Sequence, residues 1–304
     1  MDRSWRVIIG LTFVFAACNQ PFEPQGPVSN KLAVYSILNA QSDTQYVRLG
    51  TTYDTLPGPE IRDALVEIVG DGRRVRFADT TVQWTDANGN VVPINIYVAY
   101  NFVVKEGIQY SLQASTPSGL TASSLTTVLQ PPVFDLQDPT VLERLTGLPI
   151  TLEVMFRSPA GAYVMHFYVE YYVLIEGGWE LRRDEVPAQS YIDQAGHEVL
   201  IYPSLTLVAE GSFGATLIQF EPELYQQTRA RILTKYAGNP LIILRAVFVL
   251  TQIDDVLYSY YYINNGPIDQ STIRVDQPDY TNVANGVGVF GCTTSTTMMY
   301  PLKH

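Results

Sequence analysis

The sequence predicts a mainly β protein of two β-rich domains. The first is an N-terminal Ig-like or fibronectin-like β-sandwich; the second is a larger antiparallel β domain with one or two short helices. Three observations predict this. Between residues 31 and 129, short apolar-polar alternations recur about every ten residues with Gly, Pro, Asn or Asp between them, the spacing of a sandwich. Beyond Pro131-Pro132 the alternating runs lengthen. The helices that can be assigned are short stretches near 139–145 and 254–265.

The chain opens on a leader. Arg3 and Arg6 precede an apolar run from Val7 to Phe15, then Ala16, Ala17 and Cys18. The run is too short for a permanent membrane-spanning helix, and residues 1–17 read as a secretory signal peptide. A cysteine directly after small residues resembles a bacterial lipobox, in which the thiol becomes a diacylglyceryl cysteine and the chain is cut just before it. Phe15 stands where that signal usually has Leu, and the plainer alternative is an ordinary signal peptide cut near Ala17. A lipoprotein-type cysteine would carry more than one acyl chain, which stable anchoring needs at about 0.8 kcal/mol per buried methylene. Asn19 follows the cysteine, where inner-membrane retention usually has Asp, so the resemblance implies a lipid anchor in the outer membrane. Residues 18–30, with Pro21, Pro24 and Pro27 and no apolar period, form a lipidated tether.

The β-sandwich domain is placed at 31–130. Strands are predicted at Lys31 to Leu38, Gln45 to Leu49, and Ile61 to Val69 with Ala64, Val66 and Ile68 on one face. Val75 and Phe77 mark another. Asn88-Gly89 between Val82-Gln83-Trp84 and Val91-Val92 signals a hairpin, because both turn residues tolerate positive φ. Ile94 to Phe102, Tyr110 to Ala114 and Leu120 to Val128 complete the set. Pro131-Pro132 marks the boundary, since neither proline donates to a sheet ladder.

The second domain is placed at 131–304. Ile150 to Phe156 alternates. Ala162 to Glu176 is a long strand with Met165, Phe167, Val169, Tyr171, Val173 and Ile175 on one face, turning at Gly177-Gly178. Leu241 to Leu250 is nearly all apolar and predicts a central strand. Asp254 caps a short helix that ends at Asn264-Asn265-Gly266. Residues 222–235 stay unassigned: Pro222-Glu223 starts a helix, but Ala230 and Ile232 alternate with Arg229 and Arg231 like a strand. Asn285 to Gly291 is a glycine-rich strand expected to pack against the Tyr-rich helix, with Phe290 or Val287 and Val289 beneath it.

Composition narrows the function classes. The 304-residue chain has a net charge of −11. Without Asp2, Arg3 and Arg6 the mature part holds 17 basic and 29 acidic side chains, about −12. Nucleic acid and anionic membrane surfaces repel such a chain. With Cys18 acylated only Cys292 remains, which excludes a disulfide framework.

Four segments, in order, resemble the Bacteroidota lipoproteins grouped as domain of unknown function 4249. They are the opening strand Leu32 to Leu38 after Cys18, the A-x-V-x-I strand at Ala64 to Ile68, the G-x-x-Y-x-L run from Gly107 to Leu112, and the N-G-x-G-x-F-G ending from Asn285 to Gly291. The resemblance implies an outer-membrane lipoprotein associated with nutrient-import receptors of the TonB-dependent type. It brings no catalytic residues.

Catalytic chemistry finds little footing. Of three histidines, His304 is terminal, His197 lies in a turn, and His166 is on the strand 162–176. No G-x-S-x-G elbow lies near either internal one. His166 and Glu170 share a face but stand about 13 Å apart along the strand, too far to share a metal. Cys292 reads as a small buried hydrophobe rather than a nucleophile. Asp86-Ala87-Asn88-Gly89-Asn90 starts like an EF-hand loop but has Tyr97 where the distal Glu belongs, so a turn is the better reading. Asp254, Asp255, Asp276 and Asp279 show no specific calcium spacing. No cofactor is called for, and the expectation is a non-enzymatic protein. The alternatives are a surface polysaccharide hydrolase using an Asp/Glu pair, with Glu153, Glu170, Glu176 and Glu180 on β segments, and a structural or adhesive sandwich. Tyrosine is the unusual enrichment. Tyr168 and Tyr172 on one strand, and Tyr258 and Tyr261 on the helix, form the candidate binding surface.

Overall fold

A computed structural model describes residues 30–52, 61–85, 89–144, 147–159, 161–208, 215–263 and 280–302. The leader, Cys18, the Asp86–Asn88 turn, the Asn264–Gly266 helix end, Asp276 and Asp279 lie outside the described residues.

Eight strands build the first unit: β1 (Leu32–Asn39), β2 (Gln45–Thr51), β3 (Leu65–Gly70), β4 (Arg73–Arg76), β5 (Ala78–Thr85), β6 (Val91–Ala99), β7 (Gln109–Ser115) and β8 (Thr121–Thr127). They pair in the orders β1-β2-β6-β5 and β4-β3-β7-β8. Taken in sequence as A, B, C, C′, D, E, F and G, these are the ABED and C′CFG sheets of an immunoglobulin-type sandwich. Val66, Ile68, Tyr97, Tyr110 and Leu112 are fully buried between them. The fold's corner device is present as well. The Lys105 N–H donates to the Tyr110 hydroxyl at 2.8 Å across Gly107, whose φ is +72°. This gives the G-x-x-Y-x-L run its physical meaning: Gly supplies the turn and Tyr locks it. The Tyr110 ring also explains Gly70, where a Cβ would lie 2.2 Å from a ring carbon.

Pro131 and Pro132 lie between β8 and β9 (Val133–Leu136). There follow α1 (Thr140–Arg144), β10 (Ile150–Met155), β11 (Ala162–Ile175), β12 (Gly178–Glu185), β13 (Gln189–Ile192), β14 (Glu198–Ile201), β15 (Thr206–Leu207), β16 (Ala215–Phe220), α2 (Pro222–Lys235), β17 (Leu241–Ile253), α3 (Asp255–Ile263) and β18 (Gly286–Pro301). The apolar face read for β11 is the buried one, with Met165, Phe167, Val169, Tyr171 and Val173 in the second core. β17 is central, between β11 and β18.

Three features differ from the sequence expectations. There are three helices among the described residues, not one or two, because 222–235 is helical. Its buried residues Leu224, Tyr225, Thr228 and Ile232 follow helical spacing, and the Ala230/Ile232 alternation is incidental. One strand pair is parallel: β1 with β18, from Leu32↔Gly286 to Asn39↔Thr293. The last strand also does not belong to the second unit alone. Its first half pairs with β1 and sends Phe290 and Cys292 into the sandwich core; its second half pairs antiparallel with β17, from Thr293 to Pro301.

β18 therefore joins both units into one nine-stranded sheet, ordered β12-β11-β17-β18-β1-β2-β6-β5 with β15 beside β11. Strand parity puts both cores on the same face of this sheet. On that face sit the β4-β3-β7-β8 sheet and, beside it, the β16-β10-β9 sheet with α2. On the opposite face α3 packs over the middle, where Tyr35, Ala162, Ile253, Leu257, Tyr260 and Val289 form a third, smaller core. Val289 is the residue under the helix, and Phe290 points the other way.

The glycines of β18 answer to backbone. A Cβ on Gly286 would lie 2.6 Å from the Leu32 carbonyl oxygen, and one on Gly288 (φ +107°) 2.0 Å from that of Val34. The close approach is β1 itself.

Candidate functional site

With α3 over its centre, the outer face of the long sheet has two accessible wings. The sequence-predicted tyrosines divide between the helix and one wing. Tyr258 and Tyr261 lie on α3 and pack against the third core. The Tyr261 hydroxyl shares a 2.7 Å hydrogen bond with that of Tyr35, and burial raises its pKa. Tyr168 and Tyr172 lie on the outer face of β11. Tyr168 stacks on His166 at 5.9 Å, under the Arg183 guanidinium at 4.9 Å, and Tyr172 meets Trp179 edge-on at 6.5 Å. α3 crosses β11 at its start, where Tyr258 abuts Gly161. Tyr172 lies ten residues past Ala162, about 33 Å further on. The four tyrosines form two separate groups rather than one surface.

The β11 wing holds paired polar side chains. His166 Nδ1 lies 2.6 Å from Glu185 Oε1, and Arg245 Nε donates to Glu170 Oε2 at 2.6 Å. Glu180 pairs with Arg182, and Glu153 and Glu176 are exposed. Trp179, Leu181, Tyr172, Ile242 and Met299 leave apolar surface open around them. Among the described residues no group of three or more His, Cys, Asp or Glu is placed to hold a metal ion.

The other wing is concave. A trough of about 460 Å³ runs over β1, β2, β6 and β5. Tyr35 and Ile37 bound it beside α3, Tyr46 and Arg48 come from β2, Ile94 and Ile96 form the floor, and Val82 and Trp84 close the far side. Tyr35 and Arg48 are direct register partners, as are Ile94 and Val82, and Val92 and Trp84. Sequence reasoning missed this site. The signal was present: β6 is apolar on both faces, with Tyr97 and Ala99 inward and Ile94 and Ile96 half-buried on the outer side, where no described element packs over them.

A second cavity, about 520 Å³, lies between β8 and the start of α3, lined by Thr126, Gln130, Arg157, Asp254 and Asp255 among others. Asp254 is buried there as the helix cap. Its Oδ1 accepts from Leu257 N at 2.8 Å, and its Oδ2 accepts from Thr126 Oγ1 and Cys292 N, each at 2.9 Å. Burial lifts its pKa to about 6 against the pull of those donors. Burial likewise keeps the Cys292 thiol protonated, and its Sγ bonds the Thr127 carbonyl at 3.3 Å, a packed role rather than a nucleophile's.

An immunoglobulin-type sandwich fused through one sheet to a second β unit, with an open trough on the shared face, defines a two-unit β protein with a surface cavity of ligand size. The chain belongs to the domain of unknown function family DUF4249, whose model matches residues 19–298. No curated protein matches it. Among solved structures, the C-terminal globular domain of an oligosaccharyltransferase from Pyrococcus abyssi aligns at 13% identity with a TM-score of 0.24, over 70% of this chain and 45% of that one. The chain thus spans less than half the length of that domain.

Proposed function

We propose that this chain is a non-enzymatic lipoprotein of the outer membrane, anchored through Cys18, that acts as a binding or accessory component of a TonB-dependent nutrient-import receptor. The leader carries the reading: two arginines, an apolar run from Val7 to Phe15, two alanines and a cysteine, followed at once by a proline-rich tether. The family match supports it by starting at residue 19, directly after that cysteine.

Cys18→Ala is expected to move the protein from the membrane fraction to the soluble exported fraction. A variant that stays membrane-bound after high-salt and carbonate washes would overturn the anchor. Cross-linking followed by pull-down from detergent-solubilised membranes is expected to recover a β-barrel import receptor. Recovery of the chain alone would remove the accessory role.

A further inference from the structure

The long sheet ends in two edge strands, β5 and β12. β5 draws hydrogen bonds from the chain beside it: Asp63 N donates to Asp79 Oδ2 at 2.8 Å, and Arg62 Nη1 to Thr81 Oγ1 at 2.9 Å. β12 differs, because no described strand pairs with its far side. The ladder shows which of its backbone groups are left over. Val186 N donates to the Phe167 carbonyl at 2.8 Å, and the register then runs unbroken from Tyr168↔Glu185 to Ile175↔Gly178. In an antiparallel pair, residues that exchange bonds alternate with residues that do not. Asp184, Arg182 and Glu180 therefore bond to β11. Trp179, Leu181, Arg183 and Glu185 turn their N–H and C=O groups to the free edge. Leu174, opposite Trp179, agrees with this phase: its N–H donates away from β12, to the Pro240 carbonyl at 2.9 Å. No described backbone group answers the four edge residues.

β12 is open on its faces as well. Arg183 lies over Tyr168 on the outer face, whereas Asp184 accepts from the Tyr171 hydroxyl on the inner one. From Trp179 to Arg183 every residue is exposed, whichever face its side chain takes. An edge left this way is a template for another strand, and charged side chains usually guard it. Here the charges are self-complementary. If two copies of β12 lie antiparallel and centred on Leu181, Trp179 stands opposite the partner's Arg183, and Glu180 opposite the partner's Arg182. Opposite charges and an arginine beside an indole are favourable cross-strand pairs. Glu180 and Arg182 already pair along their own strand. They need not part, because the two pairs combine into a square of alternating sign. Sliding the strands by two residues puts Arg182 against Arg182 in one sense and Glu180 against Glu180 in the other.

We infer that β12 is a self-association edge, joining two copies of this chain about a twofold axis at Leu181. The backbone groups of Trp179, Leu181 and Arg183 complete the ladder between them. Such a contact uses the same patch on both copies, so it closes at a dimer.

Cysteine cross-linking of the full chain, purified in detergent, tests both the contact and its register. Facing residues that exchange bonds have Cα atoms about 5.5 Å apart, within disulfide reach. Leu181→Cys is expected to form a covalent dimer under mild oxidation. Arg183→Cys alone is expected to stay monomeric, because each copy lies four residues, about 13 Å, from its equivalent. The double variant Trp179→Cys/Arg183→Cys is expected to cross-link. The substituted positions are all exposed, so unchanged melting temperatures are expected throughout. Sedimentation of the unsubstituted chain is expected to show a reversible dimer. Glu180→Arg is expected to weaken it by at least about tenfold, since both symmetric pairs turn repulsive, and adding Arg182→Glu is expected to restore it. A monomeric unsubstituted chain, a Leu181→Cys variant that does not cross-link, cross-linking of Arg183→Cys alone, or a dimer indifferent to Glu180→Arg would each overturn the inference. None of these readouts depends on the anchor or on an import receptor.

Discussion

The two units that share the long sheet close their cores by different means. The sandwich sets sheet against sheet, with Phe77, Phe102 and Tyr110 in edge-to-face contact at its corner. The second unit sets β11 and β17 against three short strands and α2, with Phe167 stacked on Phe248 at 4.4 Å and flanked by Phe220 and Tyr225. β18 serves both and records the difference along its length. Gly286 to Cys292 is buried at every position, because α3 covers one face and the sandwich core the other. From Thr293 to Pro301 exposure alternates, because the outer face is open. Strand patterning therefore reports how many faces are covered, and it can change within one strand.

The sharpest way to break this arrangement is Gly288→Ala. Its Cβ would meet the Val34 carbonyl oxygen at 2.0 Å, so β18 must part from β1. A loss above about 4 kcal/mol is expected in urea unfolding, in the diagnostic tail for single changes. Phe290→Ala empties the sandwich core beneath the same strand and is expected to cost about 3–5 kcal/mol. Because β18 belongs to both units, each variant is expected to lower the unfolding midpoints reported by Trp84 and by Trp179 together. Separate transitions would show that the shared sheet does not couple the units.

A smaller effect should come from Asp254, where the helix cap, β8 and β18 meet. Its folded pKa, about 6, lies above the unfolded value of 3.8 because burial disfavours the charge. The native state then binds the proton more tightly. The associated stability is fully present below about pH 4 and is lost as pH rises through 6, on the order of 3 kcal/mol in all. Asp254→Asn retains a cap oxygen and should remove this slope, measured as the difference in urea midpoints between variant and parent across that window. The smallest effect is expected for Tyr261→Phe. It deletes the hydrogen bond to Tyr35, worth about 1 kcal/mol, and should lower the melting temperature slightly without touching either main core.

Local pattern was readable and long-range partnership was not. The buried face of β11 could be named residue by residue, because a strand with one covered face alternates strictly. The cap at Asp254 was equally plain. α2 hid behind Arg229 and Arg231, which stand two apart and mimic a strand. Pro131 and Pro132 fall between β8 and β9, yet nothing local in Gly286 to Gly291 says that these glycines make room for Val34 and Leu32. The candidate site shows the same limit. Tyrosine count drew attention to Tyr168 and Tyr258, whereas the trough is assembled from Tyr35, Arg48 and Trp84 on three strands that only the folded sheet brings side by side.

The parallel pairing of β1 with β18 also has a history in time. Leu32 and Gly286 are partners about 250 residues apart, the kind of contact that makes folding slow. A nascent chain makes β1 early and must wait for some 250 further residues before the strand that completes the sheet. Until then one edge of the sandwich is open to any extended segment that passes, including another copy of itself. A product cut short before residue 286 would lack Phe290 and Cys292 from the sandwich core as well. A copy without β18 is therefore expected to present its first strand as an open edge.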